Sequence, residues 1–333
     1  MSEATTVQPE RREPLMKLRG LTKEFKIKSR RLGAKPQILH ALSDVSLDVY
    51  EGETLGIIGE SGCGKSTLGR TIIQLHKATA GTVEYQGRNI FELKGAELKA
   101  LKKDIQMVFQ DPYSSLDPRN TCEDIIAEPL KVHNIITGPK ARQERVLELM
   151  REVGLDIQHM NRYPHEFSGG QRQRINVARA LALKPKIIVC DEPVSALDVS
   201  IQAQVLNLFN RLQRQYNLTY IFISHDLGVI KHVSDRIAIM YLGRVVELCR
   251  AAQIYENPLH PYTKALLSAI PPESPFQKKG RIVLKGEIPS PIGDQIGCPL
   301  AGRCPNCTER CTREIPTLQD IGDGHQVACF LYH

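Results

Sequence analysis

The chain is predicted to be an α/β protein on a mostly parallel sheet, with an inserted helical subdomain and a small Cys-rich C-terminal extension. Three observations predict this. Short, unbroken apolar runs alternate with helical patterns from about Met16 to Ala251. Between Gln110 and Phe167 the strand pattern gives way to helical periodicity. Beyond about Asn257 proline becomes frequent, apolar runs thin out and cysteine accumulates.

The strands come first. Thr54-Leu55-Gly56-Ile57-Ile58, Ile105-Gln106-Met107-Val108-Phe109, Ile187-Ile188-Val189-Cys190, Tyr220-Ile221-Phe222-Ile223 and Ile237-Ala238-Ile239-Met240 are apolar rather than alternating. Such runs suit strands covered on both faces, as in a parallel sheet. Helices are predicted over 66–75, over 140–153 with Val146, Leu149, Met150 and Val153 on one face, and from an N-cap at Ser168 until Lys184-Pro185. A last short helix is predicted over 261–269. The tail after it is too poor in core residues to fold without a staple, and its cysteines are the candidates.

Composition excludes some classes. The 333 residues are 41% hydrophobic and 24% charged, ordinary for a soluble protein. No apolar run approaches the ~18–20 residues that span a bilayer. Met1 to Pro14 lacks the apolar stretch of a signal peptide, so a cytosolic protein is expected. The net charge of +7 argues for neither nucleic acid nor membrane. The basic run Lys26-Ile27-Lys28-Ser29-Arg30-Arg31, with Lys35, has no interleaved aromatics and reads as a solvated loop.

Two segments carry phosphate chemistry. Gly59-Glu60-Ser61-Gly62-Cys63-Gly64-Lys65-Ser66-Thr67 fits GxxxxGK[ST], follows a predicted strand and opens a predicted helix. Its glycines let backbone N–H groups wrap phosphates, Lys65 would neutralise the β- and γ-phosphates, and Ser66 would bind Mg²⁺. Ile187 to Cys190 leads into Asp191-Glu192, where Asp191 can hold Mg²⁺ through water and Glu192 can polarise an attacking water. Alone, such a carboxylate pair reads as surface acid. After a phosphate loop it does not.

Between these segments stands Phe167-Ser168-Gly169-Gly170-Gln171, whose Ser-Gly-Gly-Gln resembles the signature of ATP-binding cassette proteins. The resemblance covers residues 16–255 and implies a P-loop NTPase cassette, with the helical subdomain at about 112–180. It assigns Gln110 to the Q-loop as a Mg²⁺ and water ligand, and Ser195-Ala196-Leu197-Asp198 to the D-loop. It makes His225 the switch histidine on the γ-phosphate and Phe25 the adenine-stacking aromatic. Where most members carry Leu this chain has Phe167, an apolar exchange at a packing position.

A narrower resemblance comes from Asp111-Pro112-Tyr113-Ser114-Ser115-Leu116-Asp117-Pro118-Arg119, Arg162-Tyr163-Pro164-His165-Glu166-Phe167 and Asn257-Pro258-Leu259-His260-Pro261-Tyr262-Thr263. These are similar to the ATPase subunits of dipeptide and oligopeptide importers, most closely the F-type subunit. Gly286-Glu287-Ile288-Pro289-Ser290-Pro291 and Gly297-Cys298 resemble the extension of that subgroup, here 256–333.

Cysteine usage leaves three readings open. Of nine cysteines, Cys298, Cys304, Cys307, Cys311 and Cys329 crowd the tail. In a cytosolic chain disulfides are not expected. The resemblance implies that Cys298, Cys304, Cys311 and Cys329 hold a [4Fe-4S] cluster, structural or redox-sensing, and this is the first expectation. The Cys304-Pro305-Asn306-Cys307 spacing also suits Zn²⁺. Unligated thiols are the third reading.

The resemblance further implies an ATPase whose phosphate loop faces the signature of a second, related ATPase across a head-to-tail heterodimer. Ser168, Gly169, Gly170 and Gln171 would then grip the partner's nucleotide. Two membrane permease subunits and an extracytoplasmic peptide-binding protein complete the implied system, at the cytoplasmic face of the membrane and without nucleic acid. The Q-loop region, Gln110 to Tyr113, would receive a coupling helix. Related nickel or glutathione importers share this subunit type. DNA-repair ATPases share the motifs but insert long coiled coils or zinc modules within the cassette, and translation factors carry two cassettes, whereas this sequence shows neither insertion and one phosphate loop with one signature.

Overall fold

The computed structural model describes residues 13–27, 37–270, 280–293 and 295–332. Most of the basic run, Lys28 to Lys35, lies outside the described residues, as do Pro271, Pro272 and Pro275 and most of the leading segment. The strands are β1 (Met16–Ile27), β2 (Gln37–Val49), β3 (Thr54–Ile58), β4 (Ala80–Tyr85), β5 (Arg88–Asn89) and β6 (Ile105–Val108). They continue with β7 (Ile187–Asp191), β8 (Thr219–Ser224), β9 (Arg236–Tyr241), β10 (Arg244–Arg250), β11 (Gln319–Asp320) and β12 (Gln326–Val327). The helices are α1 (Lys65–Ile72), α2 (Gly95–Asp104), α3 (Cys122–Val132), α4 (Pro139–Glu152) and α5 (Gly169–Leu181). Then follow α6 (Val199–Tyr216), α7 (Leu227–Val233), α8 (Ala251–Glu256), α9 (Pro261–Ser268) and α10 (Glu309–Arg313).

The larger sheet runs in the order β11-β12-β10-β9-β3-β8-β7-β6. Its β9-β3-β8-β7-β6 section is parallel throughout. Every residue of β3, β7 and β8 is buried, which is why these strands are apolar without alternation. The second sheet, β2-β1-β4-β5, is antiparallel. Its long β1–β2 pairing slips at three places, so apolar and charged residues do not alternate cleanly along it.

Helix boundaries follow local chemistry. Thr121 caps α3 through its hydroxyl, and Glu123 and Asp124 occupy the first turn. Pro139 starts α4, whose Val146, Leu149 and Met150 are fully buried together with Val153 just beyond it. The α1 helix stops at Ile72 instead of continuing to residue 75, because Gln74 turns into the left-handed region at φ 61 and its side chain bonds the Ile90 carbonyl. Helices α3, α4 and α5 pack together beside β6, forming the helical layer.

The C-terminal segment is held differently from the sequence expectation. Cys298, Cys304, Cys311 and Cys329 line one small space of about 20 Å³, room for a single water. Among the described residues no three His, Cys, Asp or Glu side chains are grouped to hold a metal. Cys307 is exposed, and the Cys311 thiol pairs with the Thr308 hydroxyl at 3.3 Å. The iron–sulfur expectation is therefore corrected: these are free thiols, and the zinc alternative fails on the same geometry. Glu247, fully buried on β10, is the fastening instead. It accepts from Leu259 N–H at 2.8 Å and His260 N–H at 3.0 Å, and meets His325 Nε2 at 2.7 Å. Burial pushes the Glu247 carboxyl up, but His325 and the backbone donors outweigh it and hold it below the usual range. Next to β10 lies β12, and Leu300, Val327 and Ala328 enter the core.

Candidate active site

The chain leaves β3 at Gly59 and turns into α1 within a few residues. Gly64, the N-cap, sits at φ 106, and a Cβ there would lie 2.3 Å from the Ala41 carbonyl oxygen. Only glycine fits. No side chain caps α1, so the N–H groups of its first turn stay available to an anion and the helix dipole favours one. Lys65 is buried, and its Nζ donates to the carbonyls of Gly59 at 2.7 Å and Glu60 at 3.0 Å. Burial pushes the Cys63 thiol up despite the nearby Lys65, so no thiolate charge enters the loop.

Two carboxylates face this loop from the end of β7. The Ser66 hydroxyl donates to Asp191 Oδ1 at 2.7 Å. Asp191 is fully buried, and its Oδ2 has no hydrogen-bond partner, with Arg70 Nη2 at 3.9 Å. Burial is the largest influence on this carboxyl and raises its pKa, against the lowering effects of Ser66 and Arg70. An orphaned buried carboxylate oxygen beside a hydroxyl is a hard oxygen set that fits Mg²⁺.

Glu192 holds a positive φ of 46, a strained conformation for its residue type, fixed by its N–H donating to the Ile223 carbonyl at 2.9 Å. Gln110 Nε2 donates to Glu192 Oε2 at 2.9 Å, and His225 Nδ1 lies 3.0 Å from the same oxygen. Residues following β6, β7 and β8 thus converge on one atom. Both contacts fall on Oε2, leaving the other carboxylate oxygen with capacity for a water.

A cleft of about 520 Å³ connects these groups. Phe25, Ser61, Gly62, Gly64, Lys65, Ser66, Thr67, Gln110, Glu192 and His225 all line it. Phe25 is half-buried, edge-on to His76 at 5.4 Å, with Lys23 Nζ 4.7 Å from its ring centre. Pro291 also lines the cleft. Sequence reasoning did not place it there, because it arrives from the far end of the chain: His40 N–H donates to its carbonyl at 2.9 Å.

The remaining motif residues are elsewhere. Ser168 caps α5, accepting from Gln171 N–H at 3.3 Å while its own N–H donates to Gln171 Oε1 at 2.9 Å. A Cβ on Gly170 would come within 2.4 Å of Ile201, so this glycine lets α5 approach α6. Ser168 and Gly169 are exposed, as is Asp198 ahead of α6, and none of them lines the cleft. Phe167 is buried, edge-on to His159 at 6.1 Å. Among the described residues no helix is long and apolar enough to cross a membrane.

The family described as "ABC transporter" matches residues 42–195, and "Oligopeptide/dipeptide transporter, C-terminal region" matches residues 246–311. The oligopeptide transport ATP-binding protein AppF of Bacillus subtilis is 52% identical over 323 residues, covering 96% of this chain and 98% of its own. The oligopeptide transport ATP-binding protein OppF of Escherichia coli is 50% identical over 324 residues, covering 96% of this chain and 97% of its own. Among solved structures, the dimeric post-hydrolysis state of the ATP-binding cassette MJ0796 with ADP and Pi matches at TM-score 0.62 and 32% identity. That match spans 71% of this chain and 98% of the other. The chain belongs to the ABC transporter ATPases, in the group that carries the oligopeptide/dipeptide transporter C-terminal region.

Proposed function

We propose that this protein hydrolyses ATP to power import of dipeptides or oligopeptides through a membrane permease. The single observation that carries this reading is the convergence of Gln110 and His225 on Glu192 beside an uncapped phosphate loop. The peptide cargo is supported by relatives such as AppF and OppF, whose names specify oligopeptide transport. On this reading the protein sits peripherally on the cytoplasmic face of the membrane, with permease subunits and a substrate-binding protein as partners. Residues 16–255 act as the cassette and 256–333 as the extension.

The chemistry follows from the residues. First-turn N–H groups of α1 and Lys65 Nζ, released from the carbonyls of Gly59 and Glu60, take up the β- and γ-phosphates. Phe25 stacks on the base. Ser66, Asp191 and Gln110 would hold Mg²⁺, which supplies charge neutralisation between the phosphates when bound. Glu192 accepts a proton from the attacking water through its less encumbered oxygen, while Gln110 and His225 orient the carboxylate.

The signature lies outside this cleft, so its phosphate grip serves a different nucleotide. Ser168 and the N–H groups of Gly169 and Gly170 close the site of a second ATPase placed head to tail, with Asp198 at the same seam. The subgroup resemblance supports a related chain, rather than a copy, as that partner. Exposed Tyr113, held under the Arg172 guanidinium at 3.6 Å, is where the membrane subunit docks.

Uptake of a labelled oligopeptide into proteoliposomes containing the full importer tests the function. ATP-dependent uptake that disappears with Glu192→Gln supports it. Undiminished uptake by that variant contradicts it.

A further inference from the structure

The phosphate loop contains a carboxylate. Glu60 follows Gly59 directly, in a loop built to receive a triphosphate, and a negative charge there opposes the ligand. The C-terminal extension supplies the counter-charge: Arg303 Nη1 lies 3.5 Å from Glu60 Oε2, joining residues 243 positions apart. Arg303 is well buried, with 11% of its side chain exposed, and Nη1 also donates to the Tyr241 hydroxyl at 3.2 Å.

The loop backbone is tied at the same place. Glu60 N–H donates to the Tyr262 hydroxyl at 3.0 Å. Tyr262 and Tyr241 are fully buried with ring centres 4.6 Å apart, so Arg303, Tyr241, Tyr262 and Glu60 form one contiguous assembly. A second tie runs along β2, where Gly293 N–H donates to the Ile38 carbonyl at 3.1 Å and Pro291 reaches the cleft. The extension therefore touches the candidate nucleotide site twice, at the loop and at the wall.

We propose that Arg303 is a positioning residue for nucleotide binding, neutralising Glu60 so that the phosphate loop presents net positive potential to ATP. This rests on reading the cleft as the ATP site. Tyr262 fixes the first turn of the same loop, so less ordering remains to be done when the nucleotide arrives. Arg303 acts through Glu60 and touches no phosphate itself.

The test is equilibrium binding of a fluorescent ATP analogue to the full-length chain. Lys65→Ala must weaken binding about a hundredfold or more; if it does not, or if the wild type does not bind, the reading of the cleft fails. With that established, Arg303→Met is expected to weaken binding on the order of tenfold, because Glu60 loses its counter-charge. The double variant Glu60→Gln/Arg303→Met is expected to restore binding to within about twofold, which a general collapse of the extension would not allow. Unchanged affinity in Arg303→Met, or no restoration in the double variant, overturns the proposal. Should Arg303→Met not fold, Glu60→Gln alone decides. It should tighten binding about threefold by freeing the Arg303 charge, and unchanged or weaker binding counts against the proposal.

Discussion

The Ser66 hydroxyl donates to the Asp191 carboxylate across 2.7 Å, joining residues 125 positions apart in the chain. The contact places the start of α1 against the end of β7 and leaves Asp191 Oδ2 buried without a hydrogen bond. Asp191→Asn keeps the shape and removes the charge. It is expected to leave the fold intact, with the thermal unfolding midpoint moving by no more than about 2–4 °C, the equivalent of ~1 kcal/mol. Mg²⁺-dependent tightening of ATP binding should fall on the order of tenfold.

Lys65→Ala removes the buried ammonium that meets the Gly59 and Glu60 carbonyls. The affinity for ATP should drop about a hundredfold or more, measured by calorimetry. Retained affinity would place the phosphates elsewhere.

Glu192→Gln preserves the strained backbone and a hydrogen-bonding side chain but removes the base. Hydrolysis is expected to fall on the order of a hundredfold or more while ATP binding persists. An ATP-dependent shift to a larger species on size-exclusion chromatography, in the presence of the proposed second ATPase, checks that the ATP-bound head-to-tail pair accumulates.

Docking of the extension should depend on pH through His260. It is 2% exposed, and burial pushes its pKa down to about 4. Around it stand Glu247 on β10, Lys264 on α9 and His325 near β12. A depressed folded pKa means that the unfolded chain binds the proton first. Stability is thus whole above pH ~6.5 and is lost as pH falls towards about 4, by about 3 kcal/mol for this group. Glu247, also held low, extends the loss to more acidic pH. The unfolding midpoint in urea, measured from pH 7 to pH 4, should fall less steeply in His260→Asn. That variant keeps an acceptor for the Tyr262 N–H that His260 Nδ1 now caps at 3.2 Å.

The legible parts of the molecule are those whose chemistry is local. Ile187 to Cys190 and Tyr220 to Ile223 had to be buried strands, since no exposed element tolerates unbroken apolar runs of that kind. Gly64-Lys65-Ser66 announces an anion site because a glycine, a lysine and a hydroxyl close the GxxxxGK[ST] pattern between a predicted strand and a predicted helix. The antiparallel sheet was not legible, since the bulged β1–β2 pairing scrambles the alternation that marks a half-buried strand. Nor was the fastening of the extension. Cysteine crowding suggested a metal staple, whereas the structure relies on Glu247 with His325, two residues 78 apart that carry no spacing signal. Pro291 in the cleft and Arg303 on Glu60 were hidden for the same reason.

On the proposed head-to-tail arrangement, this chain holds one complete phosphate loop but only half of a working site. Steady-state ATP hydrolysis, compared between the isolated chain and the reconstituted importer, tests it most directly. The isolated chain should bind ATP and turn over slowly. Addition of the partner ATPase, permeases, binding protein and peptide should raise turnover, with Ser168→Arg removing much of that rise while leaving this chain's ATP affinity in place. Full turnover by the isolated chain at dilutions where it is monomeric would mean that its own residues complete the site.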